Sequence, residues 1–428
     1  MTSQPSLWFL GFLTMLIAIA PAAAETHYLR AGRLLDVLQG RVLDDRLIRI
    51  DGDRITAVTA WHGAPTDGRL LDWSRYMVLP GLIDMHTHLA EWVITNNVAE
   101  PLLHSPQETA LAGAAYAHAT LRAGFTTVHD VGCYRAFTDV ALRDAINRGW
   151  VEGPRMNVVG AYITSPGGGG EVTGLAPDLM IPADMRVGVV IDADDVRRKV
   201  DALFQRGVDS IKLIATGAVL AAGTELGQQE LSDAEIHAAV DQAARHGSWV
   251  VAHAHGTEGI KAAIRGGVRA VEHASLIDDE GIALAKAHGT FLDMNLYTGD
   301  YMEEVGVRDG WPDSAMRKER MVTEAQRQAF GKAVKAGVKL TFGTDAGVNP
   351  HGDNARQFAL MVRYGMTPLQ AIQAATVTAA ELMGWQNDVG AIAPGHFADL
   401  VAVDGDALAD IRVLEHVAAV VKGGALVH

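Results

Sequence analysis

The 428-residue chain is 49% hydrophobic and 20% charged, the balance of a soluble globular protein with room for one large domain and a smaller one. Its 36 basic and 51 acidic residues leave a net charge of −15, which argues against a nucleic-acid partner because such binding needs a basic face. Cys133 is the only cysteine, which excludes an intramolecular disulfide and a thiolate metal cluster.

Residues 1–24 read as a signal peptide. Leu7 to Ala20 is an uncharged apolar run, and Ala22-Ala23-Ala24 offers a small-residue cleavage site before Glu25. The run is shorter than the roughly 20 residues a membrane span needs, and no cysteine follows it as in a lipoprotein. The usual positive start is missing, since no Lys or Arg precedes Arg30. The expectation is export to the periplasm or the medium, with cleavage after Ala24 and no stable membrane anchor afterwards.

From His27 to Ala60 short alternating stretches such as "RLIRIDGDRITAV" are punctuated by turn residues, which predicts small antiparallel strands. The closing "ADLVAVDG…VAAVVKGGALVH" has the same texture. The two ends, 25–79 and 391–428, are expected to form one composite β-sandwich domain with 80–390 inserted between them.

The middle repeats one plan: a helix ends at Gly and a short apolar strand follows. The segments are "AGFTTVHD", "RGVDSIKL", "HGSWVVAHAHG", "GGVRAVEHA", "HGTFLDMN" and "AGVKLTFGTD". Glycine supplies the left-handed turn at a helix end, and β-branched residues then favour a strand. Amphipathic helices lie between, among them "LSDAEIHAAVDQAARHG" with Ser232 and Glu235 spaced as a capping box. With Met77–His88 and Arg155–Thr164 the count is about eight strands, the number that closes a (β/α)₈ TIM-like barrel in an α/β protein. An open doubly wound sheet is the competing fold, less suited because no Gly-rich dinucleotide fingerprint follows a first strand.

Barrel chemistry sits at the C-terminal ends of strands, and those ends carry histidines. His86 and His88 close "VLPGLIDMHTHL" two residues apart, on one side of a strand. His253 and His273 stand six residues beyond Gly247 and Gly267, a shared offset that suggests equal depth. His255 is a second candidate, while Glu272 is expected to point away from the side of His273. "FGTDAG" delivers Asp345, which at a strand end can be ligand and base. His129 and Asp130 are read as supporting hydrogen-bonding residues. Four histidines and an aspartate without cysteine suit Zn²⁺ or a similar divalent ion.

Together "GLIDMHTHL", "IKLIATG", "VVAHAHG", "AVEHA", "FGTDAG" and "GAIAPGHFADLVAVD" resemble the amidohydrolase superfamily from about Tyr28 to the C-terminus. "YTGDY" and "TDAGVNPHGDNARQFALMVRYGMTPLQAI" resemble its imidazolonepropionase-related branch, with Xaa-Pro dipeptidase-like carboxypeptidases and ochratoxin amidohydrolases. The resemblance implies a job for Lys212, a lysine in the middle of an apolar strand. It would be carboxylated by CO₂, its carbamate joining two divalent metals, with His86, His88 and Asp345 on one and His253 and His273 on the other. A lysine paired with a strand-end carboxylate is the competing reading. The resemblance further implies hydrolysis by a metal-bridging hydroxide, with Asp345 as general base and then acid. The substrate class is N-acyl amino acids or dipeptides with a hydrophobic C-terminal residue, which includes ochratoxin A, an amide of phenylalanine. A cyclic-amide hydrolase and a non-catalytic binding barrel are the alternatives, and a homo-oligomer, up to an octamer, is expected by analogy.

Two stretches depart from the family pattern. "TSPGGGGEVTG" has Gly169 or a neighbour where relatives often place a histidine, and "FLDMNLY" lacks their "PT". Tyr297, Tyr301, His351, Arg363, Gly168 and Gly169 are the candidate substrate contacts.

Overall fold

The computed structural model describes residues 26–91 and 97–428, so the expected signal peptide lies outside the described residues. Among these no helix is long and apolar enough to cross a membrane. Strands β1 (Thr26–Asp36), β2 (Arg41–Asp51), β3 (Arg54–Ala60) and β4 (Arg69–Pro80) open a sheet in which β1 runs antiparallel to β2 and parallel to β4. Its core gathers Leu29, Ala31, Ile48, Ile55 and Trp73, all nearly inaccessible.

At Gly81 the chain leaves this sheet for the barrel. The expected continuous strand Met77–His88 is thereby split: its first four residues end β4, and Leu82–Thr87 is β5. The reason is steric. A Cβ at position 81 would lie 2.1 Å from Thr126 Oγ1 and 2.9 Å from Asp399 Cβ, so only glycine fits where the two units touch.

The barrel continues with β6 (Phe125–Asp130), β7 (Arg155–Val158), β8 (Tyr162–Ile163), β9 (Ile211–Ile214), β10 (Val250–Ala254), β11 (Ala270–His273), β12 (Phe291–Asp293) and β13 (Leu340–Thr341). Neighbouring barrel strands that pair do so in parallel. Met85 N–H donates to Phe342 C=O, and Asp345 N–H to His86 C=O, both at 2.8 Å, which joins β5 to the end of β13 and closes the ring. β7 and β8 together make the third of eight strands, interrupted at Gly160, whose φ is +77°. The Asp139 carboxylate stabilises that interruption by accepting from Val159 N–H at 3.1 Å and Gly160 N–H at 2.7 Å.

Helices cover the barrel for the reasons their sequences suggest. In Asp233–Arg245 the buried Ile236, Ala239 and Ala243 share one face, and the Ser232–Glu235 capping box is formed. The chain then returns to the first sheet as β14 (Leu400–Val403), β15 (Val417–Lys422) and β16 (Ala425–Leu426), where β14 pairs antiparallel with β4. Seven strands from both ends of the chain thus form one sheet beside the barrel.

Candidate active site

His86 and His88, two apart at the end of β5, both line the main cavity at the C-terminal ends of the barrel strands. His253 and His255 do the same from β10, His273 from β11 and Asp345 from the turn after β13. The imidazoles are packed edge to face or stacked, with ring centres 4.4 Å apart for His253–His273 and 4.9 Å for His86–His273. Two sets of donors converge: His86, His273 and Asp345, and His253, His255 and His273, with the donor atoms of each set within 4.8 Å of one another. His255 thus reaches the cluster alongside His253, and its Nδ1 lies 2.9 Å from Ser275 Oγ.

His88 belongs to the same cluster through Asp345. Its Nε2 lies 3.2 Å from Asp345 Oδ1, and His86 Nε2 lies 3.3 Å from the same oxygen. The other nitrogen of His88, Nδ1, faces Glu91 Oε2 at 3.0 Å and the Tyr162 hydroxyl at 3.1 Å, contacts that set the ring's orientation. Tyr162 O–H donates to Glu91 at 2.5 Å, and Tyr134 packs against Tyr162. The sequence carried a faint signal for Glu91, three residues after His88, and none for Tyr134 or Tyr162.

Lys212 is 1% exposed, with Nζ 2.7 Å from Glu272 Oε2. That same oxygen lies 2.5 Å from His86 Nδ1. The expectation that Glu272 points away from His273 is corrected: both reach the cluster. Alternation requires extended backbone, and it ends here because His273 and Ala274 take left-handed φ values of +66° and +46°. His273 therefore swings over the barrel mouth while Glu272 stays beneath it.

Burial and neighbours divide the titration behaviour of the cluster. Burial pushes the imidazoles of His253 and His273 well below their ordinary range, and that of His255 to about 3. Burial thus favours their neutral form, which keeps an open lone pair. Burial would raise the carboxyl of Asp345, but His86, His88 and His273 hold it well below the usual carboxylate range. Glu272 is likewise held down against its burial by His86 and Lys212. For His86 and His88 burial is outweighed by the neighbouring Glu272, Asp345 and Glu91, and both imidazoles are raised above their ordinary range, so a cation bound there would displace their protons. Imidazoles and carboxylates without a thiolate are a donor set that fits divalent zinc-like cations.

His129 and Asp130 do not line the cavity. His129 Nε2 meets Ser210 Oγ at 3.1 Å, while Asp130 Oδ2 accepts from Leu89 N–H at 2.5 Å and ties down the chain just past His88.

The cavity encloses about 860 Å³, part of it open to solvent, and Ile214, Val219, Leu220, Met302, Val322 and Val348 give it apolar walls. Of the six candidate substrate contacts only Gly169 lines it, its N–H donating to Glu230 at 2.8 Å. Gly168 instead turns back to Ser165 C=O. Tyr297 stands under the Arg356 guanidinium, Tyr301 packs near Trp311, and His351 stacks on Tyr116. Arg363 is exposed, because its helix Arg356–Arg363 turns Gln357, Phe358, Leu360 and Met361 inward and leaves position 363 outside. An arginine contact with a bound carboxylate in this cavity is accordingly not available from that position.

A closed parallel barrel with imidazoles and a carboxylate gathered at its strand ends defines a class, the barrel hydrolases. Residues 77–427 match the amidohydrolase family, and the chain belongs to it. It is 31% identical to ochratoxinase of Aspergillus niger over 373 residues, 82% of this chain and 75% of that protein. Its structure is similar to a Xaa-Pro dipeptidase with methionine bound in the active site, at TM-score 0.88 and 34% identity over 94% of this chain and 99% of the other. It is also similar to a prolidase complexed with N-methylphosphonate-L-proline, at TM-score 0.87 and 31% identity over 94% and 99% of the two chains.

Proposed function

We propose that the protein hydrolyses the amide bond of dipeptides or N-acyl amino acids with a hydrophobic C-terminal residue. The observation that carries this reading is the convergence of the two donor sets, sharing His273, at the floor of one apolar-walled cavity. The names of its relatives, an ochratoxinase and two dipeptide-directed enzymes, support the same substrate class.

Following the family pattern, His86, His88 and Asp345 would hold one divalent ion and His253 and His273 a second, zinc being the expected metal. The donor sets differ from this in bringing His273 within reach of both and His255 beside the second. Lys212 would join both as the CO₂-derived carbamate. Its nitrogen keeps one hydrogen in that form, which Glu272 at 2.7 Å is placed to accept. When bound, the ions supply Lewis acidity that polarises an amide carbonyl and makes water a nucleophile at neutral pH. The protein's own residues do the rest. Asp345 Oδ1 is engaged by His86 and His88, while Oδ2 has no hydrogen-bond partner among the described residues. Oδ2 takes the proton of the attacking water and returns it to the leaving nitrogen. The apolar walls exclude bulk water and accept the hydrophobic C-terminal side chain.

The test is metal analysis of the purified protein combined with a panel of dipeptides, N-acyl amino acids and cyclic amides, each with and without chelator. Two metals per chain and chelator-sensitive cleavage of the linear amides are expected. One metal per chain, or cleavage of cyclic amides alone, would overturn the proposal.

A further inference from the structure

Glu319 lines the cavity but stands apart from the donor cluster. It lies on the helix Asp313–Ala336, is 8% exposed, and shares the cavity wall with Val322 and Gln326. Thr323 Oγ1–H lies 2.9 Å from both Glu319 Oε1 and the Glu319 main-chain carbonyl. From the other side the helix Leu296–Tyr301 presses Gly299 against this pair. A Cβ there would lie 2.8 Å from Thr323 Oγ1 and 3.1 Å from Glu319 Oε1. Two helices therefore hold the carboxyl in place.

Its second oxygen, Oε2, takes no part in the Thr323 contact and belongs to a side chain that lines the cavity. Arg327, whose charge reaches Glu319, is bonded to Asp300 instead. Burial, assisted by the charge of Asp345, pushes this carboxyl up to about 7. A carboxyl oriented on one oxygen and facing a cavity on the other is open to a donor on a bound molecule. No protein cation is available to it: among the described residues no arginine lines the cavity, and its one lysine, Lys212, is held by Glu272.

We infer that Glu319 receives the free α-ammonium of a dipeptide's amino-terminal residue, so that dipeptides are preferred over N-acyl amino acids of the same shape. This rests on the amidase reading above. In a dipeptide the α-nitrogen is separated from the scissile carbonyl by one carbon, so an amide held at the cluster carries its ammonium into this same cavity. An N-acyl amino acid brings no such charge.

The test compares alanyl-phenylalanine with propionyl-phenylalanine, the same shape without the amino group, on the metal-loaded enzyme and on Glu319→Gln. The wild type should favour the dipeptide by about tenfold or more in kcat/KM. The variant should lose about 10- to 100-fold on the dipeptide, mainly through KM, the range of a charge-assisted hydrogen bond, and stay within about threefold on the propionyl compound. Equal losses on both compounds, or an unchanged preference, overturn the inference and leave the amidase reading standing. Cleavage of neither compound by the wild type overturns both. Should Glu319→Gln fail to fold, Thr323→Val removes only the hydroxyl that steadies Oε1. It should reduce the preference by several-fold, and an unchanged preference again overturns the inference.

Discussion

Lys212 Nζ and Glu272 Oε2 meet at 2.7 Å in the barrel interior, and each side chain is no more than 2% exposed. The same carboxylate oxygen lies 2.5 Å from His86 Nδ1, so one acidic group faces two basic ones. The arrangement joins three barrel strands, β5, β9 and β11, through a single atom.

Removing Glu272's charge should expose how much the chain depends on it. Glu272→Gln leaves Lys212 and His86 buried beside a neutral amide, and breaking a buried pair from one side costs about 3–5 kcal/mol. Denaturant unfolding of the metal-free protein measures this. The double variant Glu272→Gln with Lys212→Met should recover more than about 1 kcal/mol relative to the sum of the single changes. Additive losses would mean that the two groups do not interact.

Lys212→Ala tests the proposed metal role directly. Bound metal and activity should be lost together, read by metal analysis and by hydrolysis of a dipeptide. A variant that stays fully metallated and active would remove Lys212 from the site.

Asp139 links the third barrel strand to the cavity. Its carboxylate accepts from Val140, Val159 and Gly160 N–H groups, and Tyr162, two residues beyond Gly160, lines the cavity beside His88. Asp139→Ala leaves these buried donors unpaired and should cost about 3 kcal/mol in a denaturant titration. The KM for substrate should rise as well, because Tyr162 loses its support.

Lys422 gives a pH dependence away from the site. Burial, with Arg155 nearby, lowers its ammonium from 10.5 to about 8, while Asp399 and Glu152 act in the opposite direction. Its Nζ donates to Gly153 C=O at 2.5 Å. Between pH 8 and 10.5 the unfolded chain binds the proton more tightly than the folded one, so this residue's contribution to stability rises with pH. Below pH 8 the full cost is present, about 3 kcal/mol in total. The stability of the wild type relative to Lys422→Met should climb by that amount between pH 7.5 and 10.5, tracked by chemical denaturation at about six pH values. A flat difference would show that Lys422 titrates alike in both states.

Much of this protein is determined by the sequence alone, because its signals are local. Glycines such as Gly247 and Gly267 end helices, β-branched runs follow them, and the residue just before each strand's exit is read directly from that spacing. His86, His88, His253, His273 and Asp345 were legible in this way, and all five line one cavity. The tertiary structure decided what depends on where local rules stop. Two-residue alternation placed Glu272 on the wrong side, because the left-handed backbone at His273 ends the strand there. The break at Gly81 follows from contact with Thr126 and Asp399, residues about 45 and 318 positions away along the chain. Arg363 faces solvent because three-dimensional packing chose the other side of its helix. Glu91, Tyr162 and Glu319 enter the cavity from a loop, a broken strand and a distant helix, and no spacing along the chain relates them. Local propensity sets which element each residue joins; only closure of the barrel sets which side chains meet.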